Sequence, residues 1–288
     1  TLLSYGSEQQ RHSNMANAQN IHDVHEGAGL LSSAADDSDD DEVHNSITSA
    51  TLAKKLYRNF IMMCVAFALN HGCVVSCLAY SSTQLGDSLG GTGSGCLYIF
   101  YSFTAFLISK PIVSMVGPKY GLLMGVIGYC IYIAGFLFAI LVPALAWPVF
   151  LFAASIGGIA GGLLWPAQGR YFAQNALLYA EETDTPVATV NSTFAGIFAA
   201  CYLGFEMLTK VLATVLFLSA PSIAYYLIFS IYACIAVVCC FFIAGLSDLG
   251  ESGTRDFSPT TILFNVASTA NLLFEDMRLT LMLPFQIA

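Results

Sequence analysis

Apolar runs with almost no charge recur at residues 60–80, 96–116, 121–141, 148–164, 193–218 and 223–246, separated by polar, Gly-rich or Pro-containing turns. The first holds 21 residues, which at the helical rise cover ~31 Å, enough for the hydrocarbon core of a bilayer. The pattern predicts an all-α membrane protein with six transmembrane helices. A further apolar run, residues 279–288, supplies about half of the ~20 residues a span requires and reads as the truncated start of a seventh helix. The flanks differ. Residues 1–54 are rich in Ser, Asn, Asp, Gln and His and carry the run from Asp36 to Glu42, too polar to bury a core; they read as a disordered acidic tail. Residues 55–246 form the six-span bundle and residues 247–278 a polar central loop.

Composition sharpens this picture. Of 288 residues, 56% are hydrophobic and 10% charged, against about 25% charged in soluble domains. A water-soluble fold is thereby excluded. The net charge of -9 resides almost wholly in residues 1–50, where nine Asp/Glu face Arg11 alone. The acidic balance therefore carries no message about substrates, and no nucleic-acid partner is expected. The nine Cys lie within or beside apolar runs, as small apolar side chains do, and none has zinc-site spacing. No metal or cofactor is expected.

Lys and Arg fix a direction. Lys54, Lys55 and Arg58, then Lys119, Arg170, Arg255 and Arg278, all fall on one side of the alternating spans, while the loops near 81–95, 142–147 and 219–222 hold no Lys or Arg. That side, with the N-terminus, is expected to be cytoplasmic, in the plasma membrane or an endolysosomal membrane. Asn191, Ser192 and Thr193 form a glycosylation sequon at the cytoplasmic start of span five, out of reach of the glycosylation machinery. Asn191 is expected to carry no glycan; a glycopeptide containing it, found by mass spectrometry, would invert the topology.

Ionisable residues inside spans are costly and so draw attention. Glu206 and Lys210 are four apart in span five and share a face, either neutralising each other or forming an ion-sensing or proton-coupled pair. Lys110, before Pro111, is expected to extend its ammonium to the interface. Asn70 and His71 lie mid-way along span one, where they either contact a solute or make buried hydrogen bonds. With Gln168 and Glu206 they are the sizeable polar candidates for a solute or ion pathway. In span four Gly157 and Gly161, and Gly158 and Gly162, form GxxxG pairs for close helix packing, and Trp165 and Tyr171 suit the headgroup level. Gly90, Gly91, Gly93 and Gly95 read as an external turn. In the tail Glu26, Leu30 and Leu31 fit an acidic dileucine sorting signal, and Ser38 before three Asp suits an acidophilic kinase. No catalytic motif is present, and an enzyme is not expected.

Leu164, Trp165, Ala167, Gln168, Gly169 and Tyr171 resemble the Leu-Trp-x-Ala-Gln-Gly-x-Tyr signature of the uncoordinated-ninety-three-like family of the major facilitator superfamily. Leu97, Tyr98, Pro111, Gly117, Pro118, Lys119, Gly125 and Tyr129 resemble its second and third spans in order and spacing. The resemblance implies a twelve-span protein, of which this chain is the N-terminal half, partnered by the bilayer, by the missing C-terminal half and by an ion channel or a membrane receptor. Members are implied to regulate channels or escort receptors, others to transport small solutes. Around Gly117 to Gly121 the acidic residue of the general facilitator loop motif is missing, which weakens the case for a conventional conformational-switch salt bridge. Six spans acting as a complete, oligomerising subunit is the remaining reading.

Overall fold

The computed structural model describes residues 38–220 and 223–250, with side chains from residue 49 onward. Glu26, Leu30 and Leu31, most of the central loop and residues 279–288 lie outside the described residues. The chain divides into two units, Thr1–Thr48 and Ser49–Ala288; the following concerns the second.

All described elements are helical: α1 Ser38–Leu85, α2 Asp87–Phe103, α3 Ser109–Val116, α4 Pro118–Leu141, α5 Ala146–Glu182, α6 Val187–Ser219 and α7 Ala224–Ala244. A five-residue π-helical segment, Thr104–Ile108, joins α2 to α3 within one span. Six spans among the described residues are long and apolar enough to cross a membrane.

Most of the helices outrun their apolar cores. α1 begins at Ser38, inside the stretch whose composition reads as a disordered tail, so residues 38–54 of that stretch are helical. Once a turn exists, each added residue contributes a hydrogen bond whatever its polarity, and Ala50, Leu52, Ala53, Lys54 and Lys55 are good helix formers. α5 likewise continues to Glu182.

Two connections consist of one residue each. Gly86 (φ 83°) separates α1 from α2, and Gly117 (φ 86°) separates α3 from α4. This left-handed backbone region is open to glycine and strained for residues with a Cβ. Gly90, Gly91, Gly93 and Gly95 lie inside α2 rather than in a turn. A Cβ on Gly90 would stand 2.5 Å from the Ser82 backbone, and one on Gly93 would meet the Phe150 ring. In a membrane helix glycine marks close approach, which is what these two positions do.

α4 packs closely against α5. Gly121, Gly125, Gly128 and Gly135 of α4 face Ala167, Leu164, Ala160 and Ala153 of α5, a run of small residues that brings the helix backbones together where hydrophobic drive is absent. Around it Phe60, Phe67, Tyr132, Phe136, Phe150 and Phe229 are fully buried. On the far side Tyr232 donates to the Thr209 carbonyl (2.6 Å) and Ser76 to the Thr209 hydroxyl (3.2 Å). These bonds tie α7 and α1 to α6.

The π-helical segment has a local cause. Pro111 has no N–H, so the Leu107 carbonyl lacks its α-helical donor, and widening the turn that contains Leu107 shifts the hydrogen-bond register there.

Candidate functional site

The residues singled out in the sequence do not all meet. His71 does not share its surroundings with Asn70. Consecutive residues on a helix are ~100° apart, so the Asn70 side chain points away from that of His71, and the Cys239 thiol of α7 lies against the Asn70 main chain. Asn70 is fully buried and neither end of its amide has a partner.

His71 instead enters an aromatic enclosure. Its ring stacks on Phe67 (5.8 Å between centroids) and meets Trp165 edge-on (5.3 Å), with Tyr202 at 5.3 Å and Tyr129 at 5.9 Å. Its Nδ1 is buried without a hydrogen-bond partner. α1, α4, α5 and α6 each contribute a wall. Trp165 is therefore level with the middle of the first span, not with the headgroups. Tyr171 is fully buried, its hydroxyl donating to the Ser247 carbonyl at 3.1 Å. The general preference of Trp and Tyr for interfaces is overridden here by tertiary packing, with the indole seated on His71 and Phe67 and the phenol satisfied by a backbone acceptor.

One turn beyond Tyr202 on α6 is Glu206, whose carboxylate faces the Tyr202 hydroxyl and His71. Lys210 closes on Glu206 with Nζ to Oε1 at 2.6 Å. The Lys210 side chain is 46% exposed and that of Glu206 21%, so the pair sits where the bundle is open. Gln168 is buried three residues beyond Trp165. Pro166 lies inside α5 and lacks the N–H that would bond the Gly162 carbonyl in α-helical register. Lys110 is exposed.

The glycines of span four divide between two neighbours. Gly158 and Gly162 face the backbone of α2 and its π-helical continuation, at Leu97, Tyr101 and Ala105. Gly157 faces Tyr132, and Gly161 faces Tyr129 and Tyr101. Gly169 has open space around it, whereas Leu164 and Ala167 are fully buried against α4. Sequence reasoning missed Phe67, Tyr129 and Tyr202 as parts of the enclosure; an aromatic in an apolar span carries no local mark of its partners. The described residues contain no group of three or more His, Cys, Asp or Glu placed to hold a metal ion.

The family described as ion channel regulatory protein UNC-93 matches residues 81–287. The chain belongs to the UNC-93 family. UNC93-like protein 3 of Arabidopsis thaliana is 24% identical over 222 residues, 72% of this chain and 46% of its own length. An uncharacterised membrane protein of Schizosaccharomyces pombe is 25% identical over 257 residues, 84% of this chain and 49% of its own length. The chain spans about half the length of the curated relatives it matches. Within this UNC-93 chain the family match takes in Tyr129, Trp165, Tyr202, Glu206 and Lys210, while α1, with Phe67 and His71, lies almost wholly before it. Leu164 and Ala167 seal α5 to α4, and Trp165 forms a wall of the enclosure.

Proposed function

We propose that this chain acts in the regulation of an ion channel, as part of a UNC-93 protein of major facilitator fold whose N-terminus is cytoplasmic. The match over residues 81–287 to a family described as ion channel regulatory carries the reading. Its geometric support is the Glu206–Lys210 pair on the little-buried α6. Charges facing hydrocarbon are costly, so such a pair calls for protein against it. In a protein of the relatives' length the remaining half is one candidate for that cover and a channel subunit the other. The test is whole-cell recording from cells with and without the protein: changed current amplitude or voltage dependence supports the reading, and identical currents sink it.

A second reading is movement of a small solute, favoured by one observation. The unpaired His71 Nδ1 and Glu206 bring polar groups from two helices to one region, as a solute site at mid-membrane requires. His71→Phe separates the roles. The ring contacts survive and an orphan nitrogen is removed, so the apparent melting temperature is expected to hold or rise, a buried unsatisfied group costing about 1–3 kcal/mol. Proteoliposome flux that falls in this variant supports transport; flux absent from the parent protein rejects it.

A further inference from the structure

One side of α1 changes character along its length. Lys54, Lys55 and Arg58 are exposed, and none makes an ion pair among the described residues. Together with Tyr57 they line a recess of about 530 Å³. At three- and four-residue intervals below them come Ile61, Val65 and Leu69, all partly exposed. That spacing keeps the six on one helical face. Leu69 then forms the edge of a second recess of about 370 Å³, shared with Ile231, Ile235 and Val238 of α7. Beyond it the face is closed by α6, where a Cβ on Gly72 would stand 3.1 Å from the Thr209 hydroxyl and 3.3 Å from the Glu206 Cα.

The dimensions select an occupant. From Arg58 to Leu69 the helix rises ~16 Å, about half of a ~30 Å hydrocarbon core, the depth of one leaflet. Three cations stand at one end of this face and apolar side chains along the rest of it. We infer that this face of α1, with a recess at each end, is a binding site for an anionic glycerophospholipid. The phosphate rests on the Lys54 and Lys55 ammonium groups and on the Arg58 guanidinium, whose planar fork suits phosphate oxygens. One acyl chain follows Ile61 and Val65 into the recess beside α7. The charge decides between lipid classes: a zwitterionic headgroup gains little from three unpaired cations, whereas an anionic one gains from each. This site is separate from the aromatic enclosure and stands or falls independently of the regulatory reading.

The test uses the full chain in phosphatidylcholine nanodiscs doped with phosphatidylserine that carries a photoactivatable group on its acyl chain. Mass spectrometry of the labelled peptides is expected to place adducts on residues 61–69 of α1 and 231–238 of α7. The corresponding phosphatidylcholine probe should label them on the order of a hundredfold less, the direction and size that three interfacial cations supply. Lys54→Gln, Lys55→Gln and Arg58→Gln together should bring phosphatidylserine labelling down to the phosphatidylcholine level, while the Lys54→Arg, Lys55→Arg variant should retain it. A monodisperse elution profile for each variant excludes misfolding as the cause. Equal labelling by the two lipids, labelling unaffected by charge removal, or adducts elsewhere would overturn the proposal. So would a cysteine crosslink at good yield between position 65 and residues 251–288, which would give this face to the chain itself.

Discussion

Replacing Gly158 and Gly162 together by leucine is expected to force α2 away from α5 and to abolish recovery of folded protein. A Cβ at Gly162 would lie 2.7 Å from the Thr104 Cβ, 2.8 Å from the Ala105 amide nitrogen and 2.8 Å from the Tyr101 carbonyl; at Gly158 it would lie 2.9 Å from the Tyr101 nitrogen. Most of these neighbours are backbone atoms, which cannot rotate aside. Overpacking a core costs about 1–3 kcal/mol per site even where side chains can yield. Helix propensity works the other way, favouring Ala over Gly by about 1 kcal/mol. The contest is therefore decided by space. Single Gly158→Ala and Gly162→Ala variants should lower the apparent melting temperature, and Gly169→Ala, with nothing within 4 Å of its Cβ, should hold or raise it. Fluorescence-detected size exclusion after a temperature series would show this. A Gly162→Leu protein that melts like the parent would mean that α2 and α5 do not approach as described.

The second large effect is expected at the pair on α6. Glu206→Gln leaves Lys210 without its partner at 2.6 Å, and Lys210→Gln strands the carboxylate. A lone charge near the middle of a span costs about 2.5–3.5 kcal/mol, while the i, i+4 pair with Glu first is favourable in itself. Each single variant should therefore be less stable than the parent, and the double variant should recover most of the loss. The recovery is the diagnostic part, because a double-mutant cycle isolates the coupling between the two positions. Losses that simply add would show that each charge answers to something other than its neighbour. Aqueous surface pairs give about 0–1 kcal/mol; a coupling well above that would place the pair out of water.

The contrast between these two sites shows what a sequence can convey. Gly158 and Gly162 were legible because GxxxG spacing is a property of one helix, readable from adjacent turns. The facing ladder of Gly121, Gly125, Gly128 and Gly135 lies on one helical face and even opens with a GxxxG pair, but its meaning lies in Ala167, Leu164, Ala160 and Ala153 opposite, which no single helix reveals. The six spans were visible as apolar runs, but their ends were not: hydropathy marks where lipid lies, and helices continue past it. Gly90 and Gly93 read as turn residues because glycine-rich stretches usually bend in water; inside the bundle Gly90 admits a neighbouring backbone and Gly93 the Phe150 ring. His71 could be named as a candidate from its place in an apolar run. Its separation from Asn70, and its company of Phe67, Trp165, Tyr129 and Tyr202, depend on how four helices meet and left no trace in any one of them.

The two single-residue links, Gly86 and Gly117, have a mechanical consequence. With no slack on either side of the second span, the first three spans cannot slide past one another like rods on long tethers. Relative motion among them is confined to rotation about Gly86 and Gly117, each of which offers only its own two backbone dihedrals.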